Sequence, residues 1–577
     1  MRLKLVIIAV IMLAAHGAGF GQTLEDADYL MRLGNHYYNQ ENYQQALECF
    51  LHASRIFDIN LGKEHPDYAN SLNSLGVLYH QVGDYARAQR YYLESLSIRE
   101  KALGKEHPTY ADSLNNMGAL YWSMGDYTRA ERYYLESLSI REKAFGKEHP
   151  DYANSLNNLG TLYRSIGDYV RAERYYLESL AIIEKALGKE HPDYASSLNG
   201  IGLLYGIMGD YAKAERYHLE ALVIDEKIFG KEHFYYAVTL NNLGLLYTNM
   251  NDSAKAERYL FEALAIYEKT VGKETPHYAT SLNNLGLLYN NMGDYARAER
   301  YHLEALAIDE KTLGKEHHDY ALSLNNLGVI YNNMGDYAKA ERYYLEALAI
   351  WEKILNKEHS YYAISLNNLG LLYNNMNDYS KAERYLLESL AIWEKTLGKE
   401  HPYYTASLDN LYILNLAARD YSRALPFKQE QYNLKADQVN RFFSFMSEQQ
   451  RNAHWKVNSL SFESTYTLSW HHPIPESNIL SYDSTLFTKG LLLRTANAVR
   501  DSIYASGNQA LVAQFNELGN LHQQISALRQ SGGNTAQIQT LEQQAEALDK
   551  SLTQSSAAFS NNFTALSKSL STPIPLR

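Results

Sequence analysis

The sequence predicts an all-α solenoid of about ten helix pairs followed by a helical C-terminal region. Three observations carry that reading. A glycine recurs at Gly76, Gly118, Gly160, Gly202, Gly244, Gly286, Gly328 and Gly370, always 42 residues apart. Around each lies a near-copy of Leu282–Tyr301, LNNLGLLYNNMGDYARAERY, and weaker copies put Gly34 and Tyr412 in the same frame. Within a copy, apolar residues follow three- and four-residue steps, the spacing of one helical face. A fixed period of this size means that each unit buries its apolar face only against its neighbours. The question of function becomes what the open surface holds.

The N-terminus precedes the array. Arg2 and Lys4 are basic, and Leu5–Ala15 is an apolar run too short for a comfortable membrane span. Gly19 and Gly21 suit a signal-peptidase site. Residues 1–21 are therefore expected to be a signal peptide, leaving Gln22 first in an exported chain with no stable membrane anchor. No cysteine follows the run, so a lipoprotein anchor is not expected.

The solenoid is expected over residues 22–425. In the unit Tyr278–His318, a first helix is expected over Ala279–Met292, with Leu282, Leu285 and Tyr289 on one face. Gly293 and Asp294 break it: glycine tolerates the left-handed backbone that ends a helix, and Asp caps the next. A second helix is expected over Tyr295–Leu313, and Gly314 ends it. Most units then place a proline after the linker histidine (Pro66, Pro108, Pro150, Pro192, Pro402), suited to a first helical turn. Gly286 and Ala298 are small so that the two helices can approach. Tyrosines, 50 in all, fill the space between neighbouring helices.

Composition excludes several functions. Hydrophobic residues make up 46% and charged residues 21%, which suits a folded chain. The formal net charge is −12 and there is no basic stripe, which argues against nucleic acid. The single cysteine, Cys49, sits in ALECF as a small buried apolar residue. The linker histidines His65, His107, His149, His191, His233, His317, His359 and His401 each fall in a different loop, too far apart to converge on a metal. They are expected to make structural hydrogen bonds. No phosphate loop, HExxH or GxSxG is present. No cofactor, metal or catalytic residue is expected.

Leu-Gly-x-x-Tyr, Tyr-x-x-Ala and Glu-Ala-Leu together resemble the tetratricopeptide repeat, whose usual unit is about 34 residues. The longer unit, with LNNLGLLY and the linker GKEHPDYA, is most similar to the repeats of kinesin light chains and their bacterial counterparts. The resemblance covers about residues 28–425. It implies a right-handed superhelix with the first helices on the concave face, where asparagines often hold extended peptides. It also implies a bacterial source.

Helix geometry places Thr280, Asn284, Leu287 and Asn291 opposite the buried face, flanked by Asn283 and Asn290. In register this makes a band of candidate peptide-binding residues: Asn242, Asn249, Asn284, Asn291, Asn326, Asn333, Asn368 and Asn375. An amide both donates and accepts, so such a band can clamp a backbone regardless of its sequence. In early units His80, Gln81, Trp122, Ser123, Arg164 and Ser165 stand at matching positions and are expected to add selectivity.

The period fails after Ala424. Pro426 is expected to end the array, and residues 426–577 to form a helical cap and hairpin. Helices are expected over Phe427–Trp455, with Phe442, Phe443, Phe445 and Met446 covering the last repeat, and over Tyr482–Ser506. A hairpin of Leu511–Leu528 and Ile538–Leu552 is expected around the turn Ser531–Asn534. YDSTLFTKGLLLR (Tyr482–Arg494), SGN (Ser506–Asn508) and this hairpin resemble the region preceding the caspase-like CHAT domain of bacterial repeat proteins. That family uses a His and Cys pair, and no cysteine follows Cys49. The expected function is an exported, non-catalytic scaffold, periplasmic or extracellular, binding a protein or extended peptide. The alternatives are a shortened CHAT-type peptidase lacking its catalytic domain, and a structural spacer.

Overall fold

The computed structural model describes residues 23–355, 357–443, 451, 455, 462, 464–530 and 535–555. Among them there are 24 helices and no strand. The first twenty pair into ten hairpins, from α1/α2 (Leu24–Asn39, Tyr43–Leu61) to α19/α20 (Pro402–Ala417, Tyr421–Phe443). Four more follow: α21 (Thr465–His471), α22 (Pro475–Ala505), α23 (Gln509–Gln530) and α24 (Thr535–Ser555). The chain divides into two compact units. Met1–Met124 with Thr128–Gly146 holds repeats 1–3; Gly125–Tyr127 with Lys147–Arg577 holds repeats 4–10 and the C-terminal helices. The expected signal peptide, residues 1–21, lies outside the described residues. No described helix is long and apolar enough to cross a membrane.

Local chemistry fixes the helix ends. In repeat 7 the first helix, α13, spans Pro276–Asn291 and the second, α14, Tyr295–Thr312. The linker histidine is the N-cap of the first helix: His65 Nδ1 accepts the Asp67 backbone N–H at 3.2 Å, and His149, His317 and His401 repeat the bond. This serves an amide that has no partner inside the helix. The linker histidines are thus structural. Thr275 replaces the histidine in repeat 7 and makes no such bond. Second helices are capped by Asp, or by Asn42 in repeat 1; Asp294 accepts from the Arg297 N–H at 3.0 Å.

The recurrent glycine is a packing residue. A Cβ on Gly76 would lie 2.5 Å from the Tyr92 ring. The partner is thus the side chain sixteen residues on, whereas the sequence pointed to Ala298 for Gly286. In repeat 7 that partner is His302. Tyrosine pairs stack between the two helices in repeats 2–9: Tyr289 on Tyr301 at 5.6 Å, Tyr331 on Tyr343 at 5.4 Å. Each such pair adds about 0.5–1.5 kcal/mol beyond its burial. Arg297 lies 4.1 Å over the Tyr289 ring, and the Tyr289 hydroxyl donates to Glu257 of the preceding repeat. Cys49 is buried, which pushes its thiol up to about 11.

The C-terminal expectations need correction. Pro426 does not end the array's last helix; α20 runs through it. Proline removes one donor to the preceding turn. The helix persists because Ala424 and Phe427 pack with Tyr412 and Leu468. Phe427 and Leu434, on this same helix, cover the core of the last repeat around Trp393, Tyr404 and Leu408. Phe443 does not join them. It belongs to a separate core with Val439, Phe462, Phe487, Ile503, Leu518, Leu521 and Ile525. Phe445, Met446, the side chain of Phe442 and the turn Ser531–Asn534 lie outside the described residues.

Candidate peptide-binding surface

The first helices of repeats 6–10 present a regular open face. In repeat 7, Leu282, Leu285, Gly286 and Tyr289 are buried, whereas Thr280, Leu287 and Asn291 are exposed and Asn284 is half-buried. The same four positions in the neighbouring repeats make alternating rows. One is aliphatic (Leu245, Leu287, Val329, Leu371, Ile413) and the next to it amide (Asn242, Asn284, Asn326, Asn368, Asn410). The outermost row is Asn249, Asn291, Asn333 and Asn375, all exposed. None of these positions carries a charge, on a chain whose net charge is −12.

The amides are tied to one another. Asn284 Nδ2 donates to Asn241 Oδ1 of the preceding repeat at 3.1 Å, and Asn368 to Asn325 at 3.1 Å. In the outer row Asn333 donates to Asn290 at 2.9 Å and Asn375 to Asn332 at 3.1 Å. Half of the predicted asparagines therefore spend a donor on a neighbouring repeat. Asn242 and Asn326 make no side-chain hydrogen bond among the described residues. The flanking asparagines are structural: Asn283 donates to Ser323 at 3.0 Å and its Oδ1 meets His302 Nδ1 at 2.8 Å. Asn410, which continues the row and donates to Asn367 at 2.8 Å, was missed because its repeat reads LDNLYIL.

The early positions behave differently. In the first unit His80 Nε2 and Ser123 Oγ lie 2.8 Å apart, so these two satisfy each other. In the second unit the turn after Ser165 is covered: a Cβ on Gly167 would lie 2.9 Å from the His401 ring. Burial holds the His401 imidazole down to about 4.

One buried column escaped the sequence reading. Near the end of each second helix stand Phe57, Arg99, Arg141, Ile183, Asp225, Tyr267, Asp309, Trp351 and Trp393 in turn, all buried. Arg99 donates to Ser113 Oγ, to the Thr109 carbonyl at 3.0 Å and to Asn70 at 2.7 Å. Asp225 instead accepts from Thr239 at 2.7 Å, and Asp309 from Ser323 at 2.8 Å. Burial, with Asp319 nearby, raises the Asp309 carboxyl to about 7 despite the Ser323 bond and His318. The signal was available as a position that changes from repeat to repeat in otherwise similar units. His317, His318 and Asp319 place ligand atoms within 4.8 Å of one another, but His317 Nδ1 already accepts the Asp319 N–H.

Stacked helix pairs with an open face of first helices define a helical-repeat interaction protein. The tetratricopeptide repeat model matches residues 25–101, 78–143, 109–185, 167–227, 193–269, 277–353, 320–395 and 361–435, so the chain belongs to that family. No curated relative matches the chain in sequence. Among solved structures, BtubC (BKLC) from P. vanneervenii is 27% identical, covering 40% of this chain and 90% of its own, at a TM-score of 0.32. A candidate kinesin light chain of Podosopora anserina with nearly identical TPR-like repeats is 26% identical, covering 36% and 98%, at 0.31. A Rap protein complexed with competence and sporulation factor is 16% identical, covering 71% and 98%, at 0.44.

Proposed function

We propose that this protein is an exported, non-catalytic scaffold that holds an extended polypeptide along the first helices of repeats 6–9. The observation that supports it most is the uncharged alternation of amide and aliphatic rows. Amides bond a peptide backbone, and the rows between them receive its apolar side chains. Interaction through an open face is the general use of tetratricopeptide repeats, which supports a protein partner. Such a surface gives an affinity that changes little with salt, because no ion pair is involved.

The test is selection of binders from a library of unstructured peptides, followed by titration against the chain and the Asn242→Ala/Asn326→Ala variant. Neither side chain makes a hydrogen bond among the described residues, so stability shifts by only about 0.5 kcal/mol. Each lost backbone bond weakens binding by about 1 kcal/mol, together roughly thirtyfold. Equal affinities would remove the asparagine rows from the reading. Export is tested separately: N-terminal sequencing of periplasmic or secreted protein should begin at Gln22, and an intact Met1 in the cytosol would refute it.

A further inference from the structure

The C-terminal helix α24 does more than pair with α23. It reaches the turn between the two helices of repeat 5, α9 (Pro192–Ile207) and α10 (Tyr211–Phe229). Lys550 Nζ lies 2.7 Å from Glu173, which also accepts the Tyr205 hydroxyl at 2.6 Å. Lys213 forms an ion pair with Glu546, both largely buried. Glu546 and Lys550 are one helical turn apart, so a single face of α24 presents an acid and a base to a base and an acid. Beside this contact the turn is buried: Met208 is 4% exposed.

Repeat 8 carries the same docking residues. Tyr205, Met208, Gly209, Asp210, Lys213 and the preceding Glu173 become Tyr331, Met334, Gly335, Asp336, Lys339 and Glu299. Tyr331 donates to Glu299, as Tyr205 does to Glu173. Here the turn is open, with Met334 47% exposed. Between Tyr205 and Lys213 only Gly206 and Ile207, before the methionine, differ, as Asn332 and Asn333. A surface that binds one helix, repeated at these six positions and left uncovered, binds that helix again. We propose that the turn of repeat 8 is a docking site for α24 of a second copy of this chain. Tethering favours the contact within one copy, so the second site fills when the first is closed or the protein is concentrated. The contact joins different patches on the two copies, so it extends into a chain of copies rather than closing as a dimer.

The experiment uses the full chain and two readouts: mass by sedimentation, and thiol labelling of Met208→Cys, the native Cys49 being buried. In the otherwise unchanged chain the protein should be monomeric, and Met208→Cys should label about tenfold more slowly than Met334→Cys. Lys213→Glu should release the helix, expose position 208, and give a mass that rises with concentration. Adding Lys339→Glu should return it to monomer. Glu546→Lys, which spoils the helix for both sites, should expose position 208 without association. Combining Lys213→Glu with Glu546→Lys should restore both protection and the monomer. The proposal is overturned if Lys213→Glu stays monomeric, if its association survives Lys339→Glu, or if position 208 stays protected in Lys213→Glu.

Discussion

Repeat 2 buries a cation where repeat 7 buries an acid. Arg99 and Asp309 occupy the same slot, near the end of the second helix and against the first helix of the next unit. Both meet a serine there, Ser113 or Ser323. A hydroxyl donates or accepts, so it turns its lone pair to the guanidinium and its proton to the carboxylate. In repeats 8 and 9 the slot holds Trp351, stacked on Tyr361, and Trp393, tilted against Tyr403, each with ring centroids 4.8 Å apart. The comparison teaches that the interface between repeats is solved locally, one slot at a time, on an almost constant framework.

The slot's indoles set the largest expected effect. Trp351→Ala or Trp393→Ala should cost roughly 3–5 kcal/mol through lost burial and the remaining cavity. Chemical denaturation measures it; a cost below about 1 kcal/mol would mean that the neighbouring repeats close over the gap.

Asp309 gives the next effect, with a definite sign. Its carboxyl is raised to about 7, so its protonated form contributes stability that is present in acid and lost as pH rises through 7. Asp309→Asn should therefore stabilise the chain by roughly 2–4 kcal/mol at pH 8 and by little at pH 4. Equal denaturation midpoints at the two pH values, relative to wild type, would place the charge in a wetter site.

His302 sharpens the comparison from the other side. Burial holds its imidazole down to about 4, so the neutral ring's stability is lost as pH falls from 6.5 towards 4. Tyrosine fills this position in repeats 2, 3, 4 and 8. His302→Tyr should remove that acid sensitivity, worth about 2 kcal/mol at pH 5. A variant that melts in acid as the wild type does would show that other groups set that limb.

The parts legible in the sequence were those set within one period. The spacing of Gly76 to Gly370 gave the repeat, and Gly293-Asp294 gave a helix boundary within two residues. The outward row of Thr280, Asn284, Leu287 and Asn291 was also readable, because one helix's phase decides it. What remained hidden depends on distances between units. The bond from Asn284 to Asn241 joins residues 43 apart, and no single helical wheel contains both. Lys550 meets Glu173 across 377 residues, where local spacing carries no information. Pro426 misled for another reason: the rule that proline stops a helix holds only when packing does not override it, and Tyr412 and Leu468 hold the residues on either side.

The serine that faces the variable slot has a consequence for inheritance. Tandem copies in a gene are gained and lost when misaligned strands recombine. Each such event brings a second helix against a first helix it has never met. The receiving position is Ser71, Ser113, Ser155, Ser197, Thr239, Ser281, Ser323, Ser365 or Ser407, a hydroxyl every time. Whichever residue arrives, cation or acid, finds a partner, so a shuffled array does not strand a buried charge. A chain built this way can change its length by whole repeats and still fold, which makes copy number a heritable variable open to selection.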